Sequence, residues 1–101
     1  MPPVAWVYIL TNLHHTVLYV GFTTDLRSRL WEHQQSVNPK SFTARYNAFI
    51  PVFYQGFETE EEAAERERYV KGKARKWKND LIHSVNPEWN DLTEEIMAIQ
   101  P

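Results

Sequence analysis

The chain is predicted to fold as an α+β domain, a three-stranded antiparallel sheet flanked by helices in the order β-β-α-β-α-α. Runs rich in β-branched and aromatic residues occur at 5–10, 16–22 and 50–57, the first two separated by a short turn. Capped or periodic helical segments follow the second and third runs, at 25–35, 60–71 and 74–85.

Ala5 to Leu10 and Thr16 to Phe22 form the hairpin, with Asn12 to His15 as its turn. Thr23 and Thr24 offer hydroxyls to cap a helix from Asp25 to Gln35, which buries Leu26 and Leu30, four residues apart. Ser36 to Asn47 is polar and interrupted by Asn38-Pro39, so it reads as a loop anchored by Phe42 and Tyr46. Ile50 to Phe57 is the third strand, and Pro51 marks it as an edge. Thr59 and Glu62 make a capping box for a helix that reaches Lys71 and breaks at Gly72. Between Ala74 and Val85, the four-residue spacing of Trp77, Leu81 and Val85 predicts one buried stripe, and Asn86 to Asn90 ends the helix. Leu92, Ile96 and Ile99 suit a short amphipathic tail packing back on the domain. The organisation is one domain over 1–92 and a short helical tail over 93–101.

A chain of 101 residues builds one core without staples. Its 43% hydrophobic and 24% charged residues are those of an ordinary globular protein. The absence of cysteine excludes disulfides, thiolate metal sites and cysteine nucleophiles. No apolar run reaches membrane-spanning length, and Met1-Pro2-Pro3 does not open a secretion signal, so a cytoplasmic location away from membranes is expected. The net charge of −2 argues against tight, general grip on a polyanion. The charge is nevertheless segregated: acidic residues crowd 58–67 and basic ones 71–78. Solvated helix faces account for most of them, and a basic edge beside a cleft would account for the rest.

The most informative stretch is Tyr19-Val20-Gly21, which sets a phenol and a bare backbone beside the strand that carries Tyr8. Arg29 and His33 are one helical turn apart and share a face of the next helix. An arginine fork grips phosphate through two hydrogen bonds, and an imidazole moves protons near neutral pH. Taken singly, each has an ordinary reading: a surface arginine, a boundary histidine, two strand aromatics. Glu67 lies in one stripe with Ala63, Ala64 and Val70. A boundary glutamate paired with Arg68 or Lys71 is its ordinary reading; buried, it needs a cation, and Mg²⁺ is often held by one carboxylate plus water and substrate phosphate. Trp31 and Trp77 lie near basic residues, where they could stack on bases. Core packing is the stronger expectation for Trp77, and Trp31 stays open between the two. His14 and His15 fall in the hairpin turn and are expected in solvent, without the further ligands a metal requires.

Together, Trp6-Val7-Tyr8, Tyr19-Val20-Gly21, Thr23-Thr24-Asp25-Leu26-Arg27-Ser28-Arg29-Leu30 and His33 resemble the signature of the GIY-YIG nuclease superfamily. With Phe42-Thr43, Tyr46-Asn47, the Glu67 helix and Asn86-Pro87-Glu88-Trp89, the stretch from Trp6 to Leu92 is similar to its small stand-alone bacterial members. The resemblance implies a GIY-YIG endonuclease-like fold and a metal-dependent endonuclease of DNA repair or processing. Its implied alternative is a structure-directed nucleic-acid binding module with little or no cleavage.

Carried over by position, the resemblance makes Tyr8 and Tyr19 the catalytic phenols, with Tyr19 preferred as the group that deprotonates water. Arg29 becomes the essential arginine, His33 a phosphate contact or proton relay, and Gly21 a close backbone turn beside substrate. Glu67 becomes the ligand of Mg²⁺, with Mn²⁺ as substitute. Asn90 is the candidate for a late supporting asparagine, with Asn86 its rival. Lys71, Lys73 and Arg75 are candidate nucleic-acid contacts. The implied partner is nucleic acid, DNA before RNA, with a protein partner possible for targeting. Trp6 stands where the first motif has glycine, Val7 where it has isoleucine, and Phe22 where some active relatives have lysine.

Overall fold

A computed structural model describes residues 2–100; the predicted domain and tail extend by Met1 and Pro101 beyond them. The elements are β1 (Ala5–Thr11), β2 (Leu18–Thr23), α1 (Leu26–Gln34), α2 (Phe42–Tyr46), β3 (Ile50–Phe57), α3 (Glu60–Lys71), α4 (Arg75–Val85) and α5 (Thr93–Met97). The sheet is antiparallel in the order β2-β1-β3, as expected for an α+β fold with β3 at an edge.

Strand β1 is central and covered on both faces, which explains its unbroken apolar run. Ala5, Val7 and Ile9 join Val20, Val52, Ala63, Val70 and Ile82 in one core under α3 and α4. Tyr8 and Leu10 join Leu26, Leu30, Ala48 and Ile96 in a second core under α1 and α5. The period-two alternation of strand side chains thus divides β1 between two layers. The segment after Leu92 is integral to the second core, where Ile96 is fully buried. Leu92 N donates to Pro51 O (2.9 Å), and Tyr54 Oη on β3 donates to Glu95 on α5 (2.5 Å).

The hairpin turn is wider than its composition predicts, and β2 begins at Leu18 opposite Thr11. Arg75 explains the delay: its guanidinium donates to His15 O (2.6 Å) and Thr16 O (3.3 Å), so those carbonyls are taken by α4. His15 takes the left-handed conformation, and its exposed ring stacks on Trp89 at 4.6 Å.

Three local expectations are corrected. Asp25, not Thr23 or Thr24, caps α1, accepting from Ser28 N (3.2 Å); Thr23 Oγ1 instead accepts from Asp25 N (3.0 Å). The loop after Ser36 contains α2, capped by Ser41 and ended by left-handed Asn47. Thr43 within α2 and Ala48 just after it are buried, whereas Phe42 and Tyr46 are exposed. In α4 the fully buried residue is Ile82; Val85 ends the helix and lines a shallow cleft with Tyr54, Leu92 and Glu95.

Candidate active site

Tyr8 projects from β1 on the α1 side of the sheet, directly opposite Gly21 in β2. The phenol lies across the glycine: a Cβ at position 21 would come within 2.8 Å of Tyr8 Cε2 and closer still to its Cζ and hydroxyl. Gly21 therefore serves as a floor for a ring. It stands inside an extended strand with no positive φ, so the expected backbone turn beside substrate is not there.

Leu26 and Leu30 seat α1 on the second core and turn its neighbouring stripe towards the phenols. Tyr8 Oη and His33 Nε2 are 3.0 Å apart. His33 Nδ1 is 2.8 Å from Thr43 Oγ1, which is 3.2 Å from Ser41 Oγ. A continuous chain of hydrogen bonds thus leads from a buried phenol to the cap of α2. Tyr19 closes the group, its ring 6.2 Å from Tyr8 and edge-on to His33 at 5.3 Å.

The electrostatics agree with this placement. Burial, and then the neighbouring Tyr19, push the Tyr8 phenol far above its ordinary value; Arg29 pulls the other way, and Glu67 adds to the rise. Burial, then the positive charge of Arg29, pull His33 below the ordinary imidazole value, against the weaker pull of Glu32. Arg29 and Glu67 are therefore both within electrostatic reach of Tyr8. Arg29 has no ion-pair partner among the described residues, so its fork is free for an anion.

Glu67 stands on α3, a helix that packs against both β1 and β2. Its side chain is 20% exposed and pairs with Lys71 at 3.5 Å. No group of three or more His, Cys, Asp or Glu that could hold a metal occurs among the described residues. This donor set does not suit an all-protein cage. It fits a hydrated hard cation held by one carboxylate and substrate oxygens, provided Lys71 gives way.

Tyr8, Tyr19 and His33 thus meet at one place, with Arg29 and Glu67 within electrostatic reach of Tyr8, and the other candidates do not join them. Asn90 is exposed, and its backbone is tied to Asn86. Asn86 is buried and spends its amide on Val52 O (3.0 Å), Asn90 O (2.9 Å) and Asn90 N (2.9 Å), which makes it a clasp on β3. Arg75 is committed to the hairpin turn. Lys71 pairs with Glu67, and Lys73 Nζ lies 4.4 Å from the Tyr69 ring centroid. Phe22 packs against the core under α3 and α4, on the sheet face away from Tyr8. Trp77 also packs there, as its spacing suggested. A groove of about 970 Å³ is lined by Trp6, Arg27, exposed Trp31 and Ile99 among others, and contains none of these residues of the site.

Sequence reasoning missed Thr43 and Ser41 as parts of the site. Thr43 stood within a family motif, but only the packing of α2 beside α1 reveals that its hydroxyl meets His33.

A sheet that sets two phenols beside an arginine–histidine helix and a glutamate defines the catalytic domain of a nuclease family. The family profile described as the GIY-YIG catalytic domain matches residues 4–80. A UPF0213 protein of Streptococcus pneumoniae serotype 4 is 34% identical over 89 residues, covering 88% of this chain and 87% of its own. One of Clostridium perfringens is 32% identical over 91 residues, covering 90% and 96%. The solution structure of a UPF0213 protein from Bacillus halodurans matches with a TM-score of 0.56 and 28% identity, over 89% of this chain and 94% of that one. The chain belongs to the GIY-YIG family and, within it, to the small stand-alone UPF0213 proteins.

Proposed function

We propose that the protein is a divalent-metal-dependent endonuclease that hydrolyses a phosphodiester in nucleic acid, DNA before RNA, in repair or processing. The observation that carries this reading is the Tyr8 Oη to His33 Nε2 contact of 3.0 Å, with Arg29, which has no ion-pair partner among the described residues, within electrostatic reach of Tyr8. A phenol held far above its usual pKa does not ionise alone at neutral pH. It becomes a base only by handing its proton to a neighbour, and His33, held neutral by burial and Arg29, is that neighbour.

In the proposed step water attacks phosphorus in line, its proton passing to the Tyr8 oxygen as the Tyr8 proton passes to His33 Nε2. The bond to the 3′-oxygen breaks, that oxygen takes a proton from solvent, and the products carry a 5′-phosphate and a 3′-hydroxyl. Tyr8 replaces Tyr19 as the preferred base because Tyr8 has the proton acceptor. Tyr19 walls the site, and Arg29 holds the non-bridging oxygens as their charge grows. Thr43 fixes the plane of the His33 ring through Nδ1. Glu67 would hold Mg²⁺ or Mn²⁺, which supplies charge neutralisation at the phosphate and the departing oxygen.

The test incubates wild-type protein, Arg29→Ala and Glu67→Gln with linear and branched DNA in Mg²⁺ or Mn²⁺. Cleavage by wild type and its loss by at least about a hundredfold in both variants is expected. Cleavage that survives both substitutions sinks the assignment. Binding without cleavage by the wild type favours the binding module, the reading to which the Lys71–Glu67 ion pair lends weight by competing with a metal.

A further inference from the structure

The aromatic cluster does not stop at the phenols. Tyr19 stands 6.0 Å from Phe42, with ring planes inclined by 30°. Phe42 stands 4.7 Å from Tyr46, one helical turn on. Arg45 places its guanidinium carbon 5.8 Å from the Tyr46 centroid. Phe42 is 42% exposed and Tyr46 44% exposed, although both are large apolar rings. Their neighbours Thr43 and Ala48 are what anchor this segment to the core. The exposure of the two rings therefore has no packing reason in the core, while they continue the ring series that begins at Tyr19.

We infer that Tyr19, Phe42 and Tyr46, with Arg45, form a stacking track for unpaired bases flanking the scissile phosphate. The substrate class is thus nucleic acid with a single-stranded segment at the cleavage point. The inference rests on the nuclease reading and narrows its substrate. Bases in an intact duplex are already stacked on each other and have no free face for a side chain. Unpaired bases do, and every base has a π-face, so such a track grips a strand with little regard to sequence. Tyr19 joins the track to Tyr8 and His33, which sets the first stacked base next to the phosphate Arg29 would hold. Arg45 adds a cation for the backbone phosphates, in a protein whose net charge of −2 gives weak general attraction to duplex.

The experiment measures binding by fluorescence anisotropy, without divalent metal, to a labelled single strand and to the same sequence as a blunt duplex. Phe42→Ala and Tyr46→Ala should each weaken single-strand binding at least about fivefold and leave duplex binding unchanged. Phe42→Trp, which keeps a stacking face, should retain the wild-type preference. Thermal melting of each variant separates lost stacking from lost folding.

Equal weakening on both substrates, or none on either, overturns the track. Wild-type cleavage of blunt duplex unaffected by Phe42→Ala overturns it while leaving the nuclease reading intact. Single-strand binding that depends on Phe42 and Tyr46, in a protein that cleaves nothing, keeps the track and removes the nuclease reading.

Discussion

Tyr8 and Gly21 act as a matched pair, because the phenol occupies the volume that any side chain at position 21 would need. Gly21→Ala must push Tyr8 away from His33 or spread β1 from β2. We expect a loss of about 1–3 kcal/mol in urea unfolding, typical of overpacking, together with loss of cleavage. Unchanged stability would mean that the ring has room to turn aside. His33 gives the pH dependence. Its pKa is depressed in the fold, so on acidification the unfolded chain takes up the proton first, and His33 erodes stability below the ordinary value of about 6.5. The same neutral ring is needed to receive the Tyr8 proton. The acid limb of the cleavage rate should therefore lie below 6.5, and His33→Gln, which cannot take the proton, should lose cleavage across the whole pH range; a limb above 6.5 would show that a different residue takes the proton. These chemistries could be read from residue types and spacing. The use of Gly21 could not, because only strand register shows which ring lies over it.

At the level of elements, the fold is pinned by polar clasps that hydrophobic periodicity does not reveal. Asn86 satisfies groups on both β3 and the following turn, so Asn86→Leu should cost about 1–3 kcal/mol through unsatisfied backbone groups. Asn90→Ala, at an exposed side chain, should stay within about 0.5 kcal/mol by the same denaturation measurement. Equal costs would put the side chain of Asn90 on a par with that of Asn86. The two asparagines were indistinguishable in the sequence because both sit in a turn-rich segment and only burial separates them. Helix α2 was missed for a related reason: five residues are too short to show a 3.6-residue period, and Asn38-Pro39 made the region look like loop throughout. Val85 misled because a four-residue repeat says nothing about where the supporting layer ends.

Across the whole molecule, two cores share β1, and the site lies where α1, β2 and α3 meet around it. Residues far apart in the chain converge there, which is why Glu67 could be nominated from its stripe while its electrostatic reach to Tyr8 could not be read. The second core depends on the C-terminal segment: Ile96→Ala should cost about 2–5 kcal/mol despite its distance in sequence from the site. A calorimetric loss below 1 kcal/mol would show that α5 is dispensable. Because Tyr8 belongs to that core and Arg29 does not, the two carry different information about descent. A lineage that abandoned chemistry would still be compelled to keep Tyr8, since replacing it means refilling the space above Gly21. Arg29, exposed and without an ion-pair partner among the described residues, could drift freely. In comparing such proteins, the tyrosine testifies to ancestry and the arginine to present use.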